Sequence, residues 1–417
     1  MPELFKLRNQ IQYYEWGSPE WIPRLTGIAN NEGRPCAEMW MGSHPASPSL
    51  AVLPGGVQDL GTLIAGNPRR YLGARTPAQY GALPFLFKLL AAEQPLSIQA
   101  HPDLERAAEG FERENRAGLA ASAPGRNYRD PNHKPEIICA LAPFTGMCGF
   151  REPDEIRRLL EAFVSPPGSP AAPAVLRNGF VPLLAALDDA DTSSALRNFF
   201  AALFSMSAAV RMELAPYMLS ASAAVDGELT DTQWNLMRRF AGLYPNDPAL
   251  IAPLYLNIFS LDPGEAVYLR TGILHAYIHG FGVELMANSD NVLRGGLTSK
   301  HVDSAELMKV LDFSPLRPEI IRPDLRPAEE GPSRFTYQTP CNEFSLTVMR
   351  GGGQGAAAFI EEGPAICIVT AGEVEISGRD GVTVLKQGES AFISPSSAAE
   401  QPLWFRGNYT LYAAAAL

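Results

Sequence analysis

The chain has 417 residues, of which 46% are hydrophobic and 19% charged, so a peptide, a minimal scaffold and a wholly disordered chain are excluded. Its 34 basic and 45 acidic residues leave a net charge of −11, which disfavours a general surface for nucleic acid or anionic membranes. The length predicts two or three domains. Any anionic substrate must be held by locally placed cations.

The cysteines indicate a reducing compartment. The chain has five, an odd number at wide spacings that fits neither a disulfide framework nor a CxxC metal pair. The N-terminal MPELFKLRNQIQ has no uninterrupted apolar segment, and no run of about 18 apolar residues occurs. We therefore expect a cytoplasmic protein with neither a membrane nor a nucleic acid as partner.

The predicted elements change type along the chain. From residue 2 to about 150, short apolar runs alternate with Gly, Pro, Asn and Asp, which predicts strands and loops. From residue 151 to 250, apolar residues recur at helical spacing, as at Ile156, Leu159 and Phe163, which predicts a helical insertion. This stretch contains neither His nor Lys. We expect it to shape one side of a pocket rather than to supply ligands.

The strand pattern resumes near residue 258, and a short helix is predicted from Ser304 to Leu311. A linker rich in Pro, Arg and Glu (314–332) leads to a second β region, in which Phe344, Leu346 and Val348 alternate with polar residues. Short strands separated by Gly turns predict a sandwich or a barrel.

Four residues form a candidate metal site. Gln99 and His101 are one residue apart in PLSIQAHPD, so a strand would direct both to one face. Such a pair alone is more often a surface hydrogen-bonding pair. Glu136 in NHKPEI adds a carboxylate, and His275 ends a stretch (264–275) that looks like the turn-strand-turn-histidine element of cupin barrels. This donor set suits Zn²⁺, although Fe, Mn or Co would also fit.

Cations follow this candidate site in the sequence. The stretch VELMANSDNVLRGGLTSKH contains Glu284, Asp290, Arg294 and Lys300. Guanidinium and ammonium groups are the usual partners of phosphate oxygens. A solvated loop with ordinary ion pairs is the alternative interpretation of this segment.

Five segments, in this order, together resemble the class I mannose-6-phosphate isomerases. They are QYYEWGS (12–18), AEMWMGSHP (37–45), LPFLFKLLAAEQPLSIQAHPD (83–103), NHKPEIICALAPFTGMCGFR (132–151) and HAYIHGFGVELMANSDNVLRGGLTSKHVD (275–303). The resemblance extends from about residue 12 to 311. It implies a zinc-dependent aldose-ketose isomerase that interconverts mannose 6-phosphate and fructose 6-phosphate through an enediol or enediolate, with one Zn²⁺ per chain.

The resemblance also implies residue roles. The zinc ligands would be Gln99, His101, Glu136 and His275. Arg294 and Lys134 match catalytic positions, and Lys134 or Glu284 would take part in proton transfer. Positions around the sugar phosphate are matched by Trp16, Lys88, Ser97, Glu284, Asp290 and Lys300, of which Ser97 and Lys300 are the better phosphate candidates.

The implied fold is mainly β with an α insertion, made of two cupin-like jelly-roll β domains plus a helical domain. Residues 1–150 and 255–320 would form a discontinuous catalytic domain that binds zinc, 151–254 the helical insertion, and 321–417 a C-terminal cupin-like β domain. Because no histidine follows His301, we expect this last domain to be free of metal. Ser299, Asn288 and Arg270 depart from the family pattern and put only local loop geometry in doubt.

Two other functions remain open from the sequence. Two histidines and a carboxylate could hold non-haem iron in a cupin dioxygenase, although Gln99 and the Arg/Lys cluster weigh against it. A sugar-phosphate sensor would use the same pocket without turnover, but Arg294 and Lys134 favour an enzyme. We expect a monomer whose partner is a small sugar phosphate.

Overall fold

The structure is a computed structural model that describes residues 3–120, 122–166, 170–220, 228–325, 332–352, 355–359, 362–378, 381–395 and 402–417. Strands occupy both ends of the chain, and helices dominate its middle. The predicted fold class, mainly β with a helical insertion, is therefore confirmed. The end of the linker predicted at 314–332 lies outside the described residues.

The strands alternate with short turns. In chain order they are β1 (Leu4–Arg8), β2 (Gln10–Gln12), β3 (Glu38–Met41), β4 (Leu50–Leu53), β5 (Gly56–Asp59), β6 (Phe85–Ala92), β7 (Ile98–Ala100), β8 (Glu136–Ala140), β9 (Phe144–Phe150), β10 (Leu256–Leu261), β11 (Ala266–Leu269), β12 (His275–Ala287), β13 (Leu293–Gly296), β14 (Ile320–Ile321), β15 (Ser333–Tyr337), β16 (Ser345–Gly351), β17 (Ala356–Phe359), β18 (Ala365–Gly378), β19 (Gly381–Lys386), β20 (Ser390–Ile393) and β21 (Leu403–Ala415).

The helices cluster between residues 153 and 255. In chain order they are α1 (Trp21–Thr26), α2 (Leu60–Gly66), α3 (Pro68–Leu72), α4 (Arg75–Tyr80), α5 (Leu104–Arg116), α6 (Pro153–Val164), α7 (Ala174–Ala186), α8 (Thr192–Phe204), α9 (Ala208–Ser220), α10 (Asp231–Leu243), a 3₁₀ turn (Pro248–Ile251), α11 (Ala252–Tyr255) and α12 (Ser304–Val310). The short helix predicted after residue 304 is α12.

One sheet joins the two ends of the chain. Its order is β15-β16-β21-β18-β20-β1-β4-β5, with β17 beside β21 and β19 beside β18. The antiparallel register of β1 and β20 sets Leu4 opposite Ile393. The domain ranges expected from the sequence cut across this sheet, because they assign β1, β4 and β5 to the catalytic domain. Alternation predicts where a strand lies but not which distant strand it pairs with.

The other sheet holds the predicted site residues. Its order is β14-β11-β8-β12-β6-β3-β2, and β7, β9, β10 and β13 extend it beyond this path. The long strand β12 connects its parts: the first residues of β12 pair with β7 and β9, and the later ones with β6 and β8. One strand therefore spans the whole width of the candidate site.

The two sheets share a core. Phe87 and Leu285 from one sheet pack in the same buried cluster as Val348 and Ile368 from the other. All four side chains are inaccessible to solvent. Burial of this kind stabilises by about 25 cal/mol per Å² of apolar surface, so the interface between the sheets is part of the folded core.

The helical stretch packs against one side of the second sheet. The predicted apolar face of α6 is buried, and Phe163 lies in a cluster that includes Phe150 and Leu274 from the sheet. Within the described ranges, no single helix has the length and apolarity of a membrane span. Only α8 and α9 together reach both, across a bend of 91°.

Candidate metal and sugar phosphate site

Strand register places three predicted site residues side by side. Gln99 on β7 lies opposite His275, the first residue of β12, and also opposite Arg294 on β13. Directly paired residues in an antiparallel sheet direct their side chains to the same face. His101 follows β7, two residues after Gln99, which continues the same face.

The neighbouring strands add a second group on one face of the sheet. Glu284 on β12 lies opposite Lys88 on β6, and Lys88 lies opposite Trp40 on β3. On the other side of β12, Glu284 pairs with Ile138 of β8. Glu136 precedes Ile138 by two residues, so the period of a strand brings it to the face of Glu284.

His101, Glu136 and His275 form a compact buried cluster. Their potential ligand atoms all lie within 4.8 Å of one another. His101 Nε2 is 3.5 Å from Glu136 Oε2, and His275 Nε2 is 3.1 Å from Glu136 Oε1. Each residue is at most 1% exposed. Two imidazoles and one carboxylate at this spacing match the protein ligands of a catalytic zinc site.

The hydrogen bonds of the histidines test whether a metal fits. His101 Nδ1 donates to the carbonyl of Asn291 at 2.6 Å, and His275 Nδ1 donates to the carbonyl of Ile273 at 2.9 Å. Both Nε2 atoms then carry lone pairs. His275 Nε2 is buried without a hydrogen-bond partner, although a carboxylate oxygen lies beside it. The lone pairs of the imidazole nitrogen and of the carboxylate oxygen repel each other unless a cation lies between them, so the residues fit a metal.

Glu136 is surrounded by hydrogen-bond donors. Lys134 Nζ lies 2.5 Å from Glu136 Oε2 and 3.2 Å from His101 Nε2, and the hydroxyl of Tyr277 donates to Glu136 Oε1 at 3.0 Å. Burial alone would raise the pKa of Glu136, but the ammonium group of Lys134 outweighs it and lowers the pKa. Burial lowers the pKa of His101 to about 4. Both groups are therefore in the protonation state that metal ligation requires.

Lys88 and Glu284 form a buried ion pair beside this cluster. Lys88 Nζ is 2.8 Å from Glu284 Oε2 and 3.8 Å from Glu38 Oε1. Trp40 Nε1 fixes Glu38 by donating to Oε2 at 2.6 Å. Burial raises the pKa of Glu284, and Lys88 opposes the rise. A buried carboxylate with a raised pKa is suited to proton transfer.

Three cations converge near the end of β13. Arg294 has a lowered pKa because of its burial and because of Arg129 nearby. The pKa of Lys300 is lowered by burial, by Arg294 and by Arg129. None of these side chains has an ion-pair partner among the described residues. The mutual repulsion of these cations favours an anionic ligand at this position.

Asp290 lies next to His44. His44 Nε2 lies 3.4 Å from Asp290 Oδ2, and this contact lowers the pKa of Asp290. His44 also packs edge-on against Trp40, with ring centroids 4.9 Å apart. The sequence left open whether His44 faces the pocket or only a loop. The structure places it between Trp40 and Asp290.

The chain is similar to known enzymes over almost its whole length. The family model for the catalytic domain of type I phosphomannose isomerase matches residues 4–153. The mannose-6-phosphate isomerase of Salmonella typhimurium is 37% identical over 401 residues, which are 95% of this chain and 96% of that protein. That of Escherichia coli is 36% identical over 406 residues, 97% of each chain. The chain belongs to the mannose-6-phosphate isomerase family.

The structural comparison agrees with this assignment. A crystal structure of a zinc-bound mannose 6-phosphate isomerase, 34% identical in sequence, superposes with a TM-score of 0.83 and covers 99% of both chains. The fold of the family therefore accounts for both sheets and for the helical stretch.

Two residues that the family resemblance assigned to the pocket, Trp16 and Ser97, make no polar contact with the candidate metal ligands among the described residues. Trp16 stacks on Tyr14, with ring centroids 5.7 Å apart, and packs against the apolar cluster that contains Tyr277. Ser97 is half-buried on the approach to β7 and has no side-chain hydrogen bond to any described residue. Neither is brought to the buried cluster of His101 and Glu136 through a polar contact.

The sequence interpretation missed several neighbours of the site. Tyr14 lies near Glu38, Lys88 and Asp290, which all influence its pKa, although burial is the main cause that raises it. Tyr277 is the second missed residue, since its hydroxyl binds Glu136. Its position two residues after His275 on a strand was an available signal, because this spacing gives a shared face.

Asn291 connects two loops next to His101 through hydrogen bonds. Its Oδ1 accepts from the backbone N–H of Arg129 at 2.7 Å, and its Nδ2 donates to the carbonyls of Asp130 at 2.7 Å and Asn132 at 2.9 Å. Asn291 is fully buried, and its own carbonyl holds the His101 ring. An Asn between charged and apolar residues carries no sequence signal that distinguishes this role from an ordinary turn.

Another loop contact comes from the helical stretch. Asp247 accepts hydrogen bonds from the backbone of Leu297 and Thr298, and from Ala249 N at 2.8 Å. Leu297 is the one non-glycine residue with a positive φ (51°) in the part of the chain described, and it is fully buried. Such a conformation persists only where the surroundings impose it. The segment between Arg294 and Lys300 is therefore held by Asp247.

Proposed function

We propose that the chain is a zinc-dependent isomerase that interconverts mannose 6-phosphate and fructose 6-phosphate. The observation that carries this proposal is the unpartnered His275 Nε2 in the buried cluster with His101 and Glu136. The cationic group of Arg129, Arg294 and Lys300 supports an anionic substrate. The family and its zinc-bound relative support the reaction and the metal.

One Zn²⁺ per chain would be held by His101, Glu136 and His275, with Gln99 as the fourth protein ligand. The pairing of Gln99 with His275 supports this assignment because it places the amide on the same face as the imidazole. Bound zinc supplies a Lewis acid that polarises and orients oxygens of the sugar.

The phosphate group would bind to Lys300, assisted by Arg129. Neither has an ion-pair partner among the described residues, and burial, Arg294 and Arg129 lower the pKa of Lys300, which supports this assignment. Trp16, Ser97 and Asp290 would complete the pocket, as the family resemblance implies. In an acidic protein these few cations give one local site for a phosphate rather than a general polyanion surface.

Proton transfer between adjacent carbons would use Glu284, with Lys88 as its positioning partner. Glu284 has a raised pKa, whereas Lys134 Nζ is already engaged as a donor to Glu136 at 2.5 Å. Lys134 would therefore act as a cation beside the developing negative charge. Arg294, which lies opposite Gln99 on β13, would share that role.

The enzyme would act as a cytoplasmic monomer with a small sugar phosphate as its partner. All five cysteines are free and buried thiols, which is consistent with a reducing compartment. Light scattering of the purified chain measures the oligomeric state. A mass of twice the chain mass or more would contradict the monomer.

Substitution of the cations tests the proposed substrate pocket. We expect Lys300→Ala to raise the KM for fructose 6-phosphate by about ten- to a hundredfold, because a charge-assisted contact to phosphate is worth about 1.5–3 kcal/mol. Arg294→Ala should lower kcat as well. Arg69→Ala, a change at an exposed helix position away from the site, is the matched control. Unchanged kinetics in both site variants would refute the assignment.

A further inference from the structure

A cleft lies between the two β sheets, and its walls contain none of the candidate zinc ligands. Its volume is about 290 Å³, and it is open to solvent. It is lined by Trp21, Arg24 and Phe281, and by residues from later in the chain, namely Arg350, Gln387 and Tyr412.

The charge of this cleft is opposite to that of the protein. Arg24 and Arg350 both line it, whereas no aspartate or glutamate is among the described residues of its walls. Neither guanidinium has an ion-pair partner in the described part of the chain. In a chain with 45 acidic residues, two unpaired arginines facing one cavity favour an anion.

The rest of the wall is aromatic and polar. Trp21 stacks on Phe281 with ring centroids 5.6 Å apart and an angle of 9° between the planes, which gives a flat apolar wall. Tyr412 is 2% exposed, and its hydroxyl accepts a hydrogen bond from the thiol of Cys139 at 3.7 Å. Gln387 adds a polar side chain to the wall. Arginines with a planar aromatic wall match a phosphate joined to a planar ring.

We propose that this cleft binds a nucleotide in addition to the sugar phosphate of the zinc site. The phosphate would contact Arg24 and Arg350, and the base would lie against Trp21. Because the walls come from both sheets, the bound nucleotide would connect them. It would also contact β12 at Phe281, six residues after His275 on the same strand.

Calorimetry of the zinc-loaded protein tests the proposal, with ADP and GDP as probes. We expect one nucleotide per chain, and the same affinity when fructose 6-phosphate is saturating, because the two sites are separate. Arg24→Gln and Arg350→Gln should each weaken nucleotide binding at least tenfold while isomerase activity is retained. Arg69→Gln, an exposed change elsewhere, should bind as the wild type does.

Three results would overturn the proposal. They are the absence of binding by both nucleotides, displacement of the nucleotide by fructose 6-phosphate, and unchanged affinity in both arginine variants. Adenosine and guanosine serve as a further control, because equal affinity without phosphates would contradict the role of the arginines. Isomerase activity is measured independently, so loss of the zinc-site function and loss of nucleotide binding are distinguishable.

Discussion

At the scale of single residues, Lys88 is a buried charge that packing alone does not explain. It lies in an otherwise apolar strand and is 6% exposed. Burial alone would lower the pKa of Lys88, but Glu284 and Glu38 outweigh it and raise the pKa. A buried ion pair contributes little net stability against an apolar replacement of similar shape. The pair is better explained by the need for a positioned carboxylate at Glu284.

Glu284→Gln tests this role. We expect kcat to fall by about 10²–10⁴, the usual contribution of general acid-base catalysis, while zinc content is unchanged. Since burial raises the pKa of Glu284, its carboxylate is protonated as pH falls through a value above the ordinary one, and activity should decline there. The variant should lose this acid limb. Steady-state kinetics from pH 5 to 8 measure both effects.

The exposed Glu373→Gln on β18 is the control and should leave the pH profile unchanged. If Glu284→Gln retained wild-type kcat and the same acid limb, Glu284 would not be the proton-transfer group, and Lys134 would be the remaining candidate for this role.

The sequence predicted the residues of the site better than their neighbours. Gln99 lies on β7 with His101 directly after it, and Glu136 and Ile138 lie on β8, so the two-residue spacing alone defines the face. Arg129 and Asn291 lie in loops, and only the folded structure brings them to the site. Loop positions depend on long-range contacts that no local pattern encodes.

The elements show why a helical stretch without His or Lys belongs in this enzyme. In the described part of the stretch, no residue joins the cluster of His101, Glu136 and His275. Asp247 nevertheless holds the backbone at Leu297 and Thr298. Gly296 beside them leaves no room for a side chain, because an added Cβ would lie 2.4 Å from Ala249 Cβ. The stretch therefore supports the site through one loop.

Asp247→Asn tests this support. Loss of the carboxylate should loosen the segment that leads to Lys300, so we expect the KM for fructose 6-phosphate to rise about three- to tenfold with little change in kcat. Steady-state kinetics measure the two constants separately. Asp154→Asn, at an exposed position of α6 in the same stretch, is the control. An unchanged KM in Asp247→Asn would show that the loop holds its position without this residue.

At the scale of the molecule, the two sheets are joined by strands from both ends of the chain. The sequence predicted strands at residues 2–150 and after 332, but not the pairing of β1 with β20. Pairing over hundreds of residues depends on which edges remain free after the rest has folded. A shared apolar core with Phe87 and Val348 then makes the sheets one structural unit.

The ion pair of His133 and Glu343 also links the two sheet regions. Their side chains are 2.7 Å apart, and His133 immediately precedes Lys134. Burial alone would raise the pKa of Glu343, but hydrogen bonds from His133 and Cys341 outweigh it and lower the pKa to about 2. The carboxylate is therefore bound in its charged form in the folded protein.

Glu343→Gln should destabilise the protein by about 1–2 kcal/mol at pH 6, after allowance for partial solvent screening. Because the pKa of Glu343 is lower in the folded protein than in the unfolded chain, the carboxylate stabilises the folded state when the pH is above the unfolded-state pKa. This contribution is lost as the pH falls from about 4.5 toward 2. The difference from wild type should therefore shrink below pH 4.5. Denaturant unfolding at pH 6 and pH 3 measures it, and a constant difference would contradict the linkage.

Removal and return of zinc test the central claim most directly. The purified chain is assayed for conversion of mannose 6-phosphate to fructose 6-phosphate before chelation, after chelation and after addition of one Zn²⁺ per chain. We expect loss of activity on chelation, recovery with zinc, and no recovery in His275→Ala. Full activity in the metal-free protein, or in zinc-free His275→Ala, would contradict it.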